Sequence, residues 1–385
     1  MNRQYLIKLS ASIFSLLVIA FSFGLSGTTP VKAATPLNIT TLGTYTSMSP
    51  IGIGLSPVLN KLIESGGYPT GLPNNFNQID LTTGTSTPFS TVSGWTDEDY
   101  FAIADSNNIA AGFVPGTIYS GTGAAGQIAK ISPDGSTVTN PWVTLPGETM
   151  TLRGSVAFDQ VGTFNYNLLV TASNDSFAPS TIWEVTSTGV ATKLVTLPIV
   201  SEGLVVIPNQ STNYGPWAGK LLVGDELDHS IYAVAPNGTF QVYSGLGVSP
   251  ESLAVVNPGG TLYAVNYNSG TGDRILTASS TDLSSAGMIN DVIEADEFPG
   301  VLHDIHWNGT SFVTTSVGTA SQFEQIIVTL PSATVPPSGN GCAFYQDNGN
   351  DKCRIDKDQG KGDDIHNSGN DAPPVVIKFG SAHHP

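Results

Sequence analysis

The chain has 385 residues, 12% of them charged, and a formal net charge of −17 at pH 7. An acidic surface of that kind repels phosphate backbones and anionic lipid headgroups, which argues against nucleic-acid binding and makes cations the natural counterpart. Glycine (42) and proline (25) are abundant, and that mixture predicts short strands joined by many turns.

In chain order, residues 1–33 come first. Arg3 and Lys8 precede an apolar run over 13–25, and small residues follow around Ala33. That is the order of a secretory signal peptide, cleaved after Ala33 or Ala34. The run is too short to cross a bilayer comfortably, a retained anchor being the alternative. The expectation is a secreted, periplasmic or extracellular monomer with no membrane attachment after cleavage.

Residues 34–331 repeat. The positions two before the first apolar strand residue are Ile51 in PIGIGLSP, Asp99 in EDYFAIAD, Gly154 in RGSVAFDQ, Glu202 in SEGLVVIP, Glu251 in PESLAVVN and His303 in LHDIHWNG. Subtracting successive positions gives intervals of 48 to 55 residues. A second marker keeps the same beat: turns ending at Gly84, Gly135, Gly189 and Gly238 lie 49 to 54 residues apart. Glycine after Asp or Asn takes positive φ without steric cost and is preferred in tight hairpins. Four strands in about fifty residues is the size of a propeller blade, so the chain is predicted to be all-β, a six-bladed β-propeller.

Three further elements follow. PESLAVVNPGGTLYAVN, residues 250–266, reads as the first two strands of the fifth blade, and SPVLNKLIES, residues 56–65, as a short helix inserted in the first. From His303 only LHDIHW, TSFVTT and FEQIIVTL remain for the sixth blade. The strand over residues 37–46 is expected to complete it and remove the exposed edge.

In such a fold the start of a blade's innermost strand and the end of its second strand share one rim. Strand starts place Asp99, Glu202, Glu251 and the His303/Asp304 pair there, with Glu98 adjacent. Second-strand ends add Asn174, Asp225 and Asn266, with Glu226, Asp228 and His229 in the loop after Asp225. Carboxylate and amide oxygens gathered from several blades suit a hard cation such as Ca²⁺. The bland alternative is a solvated rim that is acidic because the whole protein is. His229, His303 and His306 are candidates for proton transfer, against the ordinary role of a hydrogen-bonded strand-end histidine.

PESLAVVNPGGTLYAVN and PIGIGLSP resemble the NHL-repeat pattern, Pro-x-Gly-apolar-Ala-apolar-Asp followed by Gly-x-apolar-Tyr-apolar. Residues 37–330 as a whole resemble the six-bladed superfamily that includes the senescence marker protein and gluconolactonases. The resemblance implies a metal at the channel mouth, held by Glu, Asn and Asp from different blades, that polarises a lactone carbonyl. Glu202, in Ser-Glu-Gly, matches the Glu-Gly start; Asn266 stands for an amide ligand and Asp304 or Asp225 for the Asp. Glu251 and Asn174 complete the candidate metal set, and Asp304, His303 and His229 the candidate catalytic set. The expected partner is a small or extended ligand at the channel mouth. The non-enzymatic alternative is an NHL-type interaction module; the streptogramin lyases, with a metal, His and Glu but seven blades, are a third reading.

Residues 332–385 read as a linker and a flexible polar tail. Cys342 and Cys353 are expected to pair there as a local disulfide. Asp356, Asp358, Asp363 and Asp364 invite comparison with a calcium loop, but Lys361 and Asn367 stand where that loop requires glycine and glutamate.

Overall fold

A computed structural model of the chain describes residues 35–42, 49–68, 71–98, 100–153, 155–173, 179–267 and 274–330, and the backbone of Cys342–Asp347 and Asn350–Ile355. The expected signal peptide, Asp99, Gly154, Asn174, the tail aspartates and the side chains of Cys342 and Cys353 lie outside the described residues. The chain divides into two units, Met1–Ser332 and Ala333–Pro385. Among the described residues no helix is long and apolar enough to cross a membrane.

After β1 (Thr40–Thr41), four blades follow as antiparallel four-stranded meanders. Blade one is β2 (Pro50–Ser56), β3 (Lys61–Gly66), β4 (Phe76–Ile79) and β5 (Ser86–Pro88); blade two is β6 (Phe101–Ile103), β7 (Ile118–Gly121), β8 (Gln127–Ile131) and β9 (Val138–Thr144). Blade three is β10 (Ser155–Phe158), β11 (Leu168–Ala172), β12 (Ser180–Val185) and β13 (Ala191–Leu197); blade four is β14 (Ser201–Val206), β15 (Leu221–Asp225), β16 (Ser230–Val234) and β17 (Phe240–Ser244). Inner strands are buried on both faces and so read as unbroken apolar runs, as LLVTA in β11 does, whereas β17 on the outer edge is largely exposed. The glycine marker falls on the turn between third and fourth strands in each blade. At Gly135 the requirement is double: φ is +75°, and a Cβ would strike the carbonyl oxygen of Phe89 in blade one.

Blades five and six exchange strands. The chain lays down β18 (Pro250–Val255), leaves for β19 (Leu262–Asn266) and β20 (Arg274–Ala278), and returns for β21 (Val292–Asp296), β22 (Val301–Trp307) and β23 (Phe312–Thr319). It ends with β24 (Phe323–Val328). The sheets are β18-β21-β22-β23 and β24-β19-β20-β1. Residues 250–266 are therefore not one hairpin, and His303 does not open an innermost strand. Two local contacts explain the divergence. Past β18 the backbone keeps pairing with the segment before β21, Val256 N to Asp291 O at 2.9 Å and Asn290 N to Val256 O at 2.9 Å. The entry to β19 is tied to the end of β24 by Thr329 N donating to Thr261 O at 3.0 Å. β1 pairs antiparallel with β20, Thr40 opposite Thr277, on the edge of the sheet away from β24.

Residues 56–65 are likewise not helical: β2 turns at Asn60 (φ 50°) into β3. Leu62 packs toward blade six and Ile63 toward blade two, so two adjacent apolar residues are buried on opposite faces and the alternation that marks a strand is lost.

β2, β6, β10, β14, β18 and β24 neighbour one another in a closed ring, with β24 returning to β2. One apolar cluster fills each of the six blade interfaces. Polar links stitch the ring where it closes. Gln325 of β24 accepts from Ile53 N at 2.8 Å through Oε1 and donates to Phe101 O at 3.3 Å through Nε2, while Ser252 Oγ accepts from Ile326 N at 3.0 Å. The separate C-terminal unit contains a hairpin of β25 (Cys342–Asp347) and β26 (Asn350–Ile355), in which Cys353 pairs with Phe344.

Candidate functional site at the channel mouth

Three innermost strands carry glutamate as their second residue: Glu202 in SEGLVV, Glu251 in PESLAV and Glu324 in FEQIIV. Strands β14, β18 and β24 are consecutive in the ring, so the three carboxylates converge on one side of the same channel mouth. All three are buried. Opposite them, just before β6 and β10, stand Glu98, Tyr100 and Arg153. The Tyr100 hydroxyl donates to Glu251 Oε1 and lies 3.3 Å from Glu324 Oε2. Arg153 Nε is 2.6 Å from Glu98 Oε2, and its guanidinium also covers the Tyr68 ring at 5.3 Å.

Rim loops supply two more acids. Glu226 follows the end of β15, and Glu297 follows the end of β21. Oxygens of Glu226, Glu251 and Glu297 all lie within 4.8 Å of one another. Gln322 Nε2 bridges part of this group, donating to Glu297 Oε1 at 2.7 Å and to Glu324 Oε1 at 2.9 Å.

Burial first, and then the crowding of carboxylates around Arg153, disfavour ionisation. Burial, then the charges of Glu251 and Glu98, push Glu202 well above the ordinary carboxylate range, with Arg153 pulling the other way. Burial does the same to Glu251 against the hydrogen bond from Tyr100, and to Glu324, where the charges of Glu251 and Glu98 add to it. Glu226 is only partly buried; burial and the neighbouring Glu297 raise it from 4.5 to about 7. Tyr100 is pushed up by burial and by Glu251.

A pH dependence follows. Carboxylates whose folded pKa lies above the unfolded one hold protons more tightly in the fold, so their contribution is fully present below about 4.5 and is lost as pH rises through the folded values. The metal-free protein is expected to melt highest near pH 5 and roughly 4 °C lower by pH 8, the shift that about 2 kcal/mol produces in a large domain. Calorimetry in chelator reads this directly, and a melting temperature that is flat or rising from pH 5 to 8 contradicts it.

The other sequence candidates take different places. Asp225 ends β15 opposite Ser201, and its carboxylate turns to its own loop, accepting from Asp228 N at 3.3 Å and Ser230 Oγ at 3.4 Å. Asn266 ends β19 opposite Phe323, beside Glu324 rather than Glu251, and its Oδ1 accepts from Ser321 N at 3.0 Å. His229 is exposed, with Nδ1 3.0 Å from Ser249 Oγ. His303 and Asp304 lie on β22, the third strand of blade five, opposite Glu294 and Ile293 respectively. Adjacent strand residues face opposite ways, so His303 and Asp304 cannot serve one site. Glu324, Glu297 and Tyr100 were not singled out from sequence. For Glu324 the signal existed, an apolar strand with glutamate second, as in the strands of Glu202 and Glu251.

No family profile and no curated protein sequence matches the chain. Among solved structures it is similar to a calcium-binding protein, regucalcin, from Agrobacterium tumefaciens, at 11% identity over 77% of this chain and 83% of that one, with a TM-score of 0.47. It is also similar to a gluconolactonase from Xanthomonas campestris, at 10% identity, 77% and 93% coverage and a TM-score of 0.47. For virginiamycin B lyase from Staphylococcus aureus the figures are 12% identity, 74% and 90% coverage and 0.43. At these identities the likeness is one of fold.

Proposed function

We propose that this six-bladed β-propeller is an exported protein that binds a divalent hard cation, calcium, at its channel mouth and takes a small ligand there. The observation that carries the reading is the Glu226–Glu251–Glu297 group, whose oxygens come within 4.8 Å of one another. An all-oxygen donor set is what Ca²⁺ prefers. Glu202 supports the fit: its buried Oε2 has no hydrogen-bond partner among the described residues. An unpaired buried carboxylate oxygen is costly unless a cation or proton satisfies it.

The proposed chemistry is hydrolysis of a lactone or ester. A bound cation of this kind supplies Lewis-acid polarisation of a carbonyl oxygen. Glu226, poised at about 7 beside the group, is suited to hold or accept a proton near neutral pH. Arg153, fixed by Glu98, limits the negative charge on that side of the mouth, and Tyr100 orients Glu251.

The test is calcium titration by calorimetry on chelator-treated protein, followed by a panel of lactones and esters with and without calcium. One calcium per chain with calcium-dependent turnover is the expected result. Calcium binding with no turnover overturns the hydrolase and leaves a binding module; no calcium binding overturns both.

A further inference from the structure

A second cluster sits in blade five, on the face turned toward blade four. Glu294 and Asp296 are two residues apart on β21 and so share a face, and Glu294 is directly opposite His303 on β22. The row continues outward, since His303 is opposite Ser316 on β23. One donor atom from each of Glu294, Asp296 and His303 lies within 4.8 Å of the others, and all three residues are buried.

Two observations, independent of that grouping, point to an occupant. Glu294 is fully buried, and no donor among the described residues reaches either of its carboxylate oxygens; its polar neighbour is the Asp296 carboxylate, with which it can share only a proton or a cation. His303 is held at both nitrogens: Nδ1 is 3.3 Å from Ser316 Oγ, and Nε2 points at Asp296 Oδ2 from 3.1 Å. In the tautomer that donates Nδ1–H to Ser316, the Nε2 lone pair faces the carboxylates and calls for a positive charge between them; in the other, Nε2–H donates to Asp296 and no ion is needed. Metal-binding histidines are oriented in the first way, one nitrogen on the ion and the other on a hydrogen-bond partner. Asp296 Oδ1 is fixed in turn by Ser249 N at 2.5 Å.

We propose that Glu294, Asp296 and His303 form a second metal site with its own donors, next to the oxygen-only group at the channel mouth through the consecutive residues Asp296 and Glu297, that takes a first-row transition-metal dication such as Zn²⁺ or Co²⁺. A donor set of one imidazole and two carboxylates favours these ions over Ca²⁺. Three protein donors leave at least one coordination position for water or a ligand. Protons shared among the same three groups are the competing occupant.

The experiment uses chelator-treated full-length mature protein held in excess Ca²⁺, so that the mouth is occupied, and titrates Co²⁺ by visible absorption and Zn²⁺ by calorimetry. One equivalent of Co²⁺ is expected to bind with a ligand-field band. His303→Gln is expected to weaken Zn²⁺ binding at least 100-fold, and Ser316→Ala about 10-fold through lost orientation of the imidazole. Glu251→Gln changes no donor of this site, only the charge near Glu294, so it is expected to keep the Co²⁺ ligand-field band while weakening Ca²⁺ binding, which separates failure at this site from failure at the mouth. Should His303→Gln misfold by circular dichroism, Glu294→Gln and Ser316→Ala carry the test. Wild-type protein that binds no Co²⁺ or Zn²⁺, or variants that bind them as tightly as wild type, overturn the proposal and leave protons as the occupant.

Discussion

Adding calcium to chelator-treated protein at pH 8 is expected to raise its melting temperature by roughly 8 °C. A ligand at about a thousandfold over its dissociation constant stabilises the state it binds by about 4 kcal/mol, and in a large domain each kcal/mol moves the midpoint by roughly 2 °C. At pH 8 the effect is largest, because the crowded acids are then furthest toward ionisation and proton binding competes least. The double variant Glu226→Gln/Glu251→Gln removes two of the three converging carboxylates, and its response to calcium should shrink to less than about 2 °C. In chelator the same variant should melt no lower than wild type, since it relieves repulsion among groups whose burial already disfavours charge. A structural role alone would make the variant less stable with and without the ion. An undiminished calcium shift in the variant would place the ion elsewhere.

Trp217→Ala is expected to cost about 3–5 kcal/mol, seen as a fall of roughly 6–10 °C in the melting temperature. Trp217 is fully buried between β14 and β15, stacked on Phe312 of β23 at 3.7 Å between centroids and met edge-on by Tyr243 at 5.6 Å. Its indole nitrogen has no hydrogen-bond partner among the described residues, so the loss is one of packing and cavity formation. Trp217→Phe, which keeps an aromatic face on Phe312, should recover more than half of the difference. A fall under about 2 °C for the alanine variant would mean that the blade four to blade five interface tolerates the void.

That aromatic contact also shows where the fold was legible in sequence and where it was not. Blades one to four are built from strands adjacent in the chain, so the glycines at 84, 135, 189 and 238 and the recurring apolar strands expose them directly. The last two blades depend on pairings made across long separations, such as Val255 with Val292 and Leu262 with Val328. Nothing local distinguishes PESLAVV-turn-TLYAV as two strands of one blade from one strand each of two. His303 kept the beat by accident of spacing, and the true innermost strand, with Glu324, falls 73 residues after Glu251 (324 − 251).

The site was partly legible for the same reason. Glu202 and Glu251 were found because they open strands that follow the local beat. Glu297 lies in a turn, EFPG, that resembles no strand start, and Tyr100 passes as one more apolar residue until the closed ring brings its hydroxyl to Glu251. The opposite facing of His303 and Asp304 follows from the pleat of any strand; what sequence hid is that they lie on a third strand, paired with Glu294 and Ile293.

The strand exchange makes the final third of the propeller indivisible. A nascent chain that has emerged only as far as Asn266 holds two strands with no permanent neighbour, because β18 must wait for β21, and β19 for β20 on one side and the distant β24 on the other. Holding such strands until distant partners arrive is slow, since chain closure must precede any reward from contact. Circular permutation or blade shuffling, which repeat proteins with self-contained modules accept, should therefore succeed at the junctions between the first four blades and fail anywhere between Pro250 and Val328.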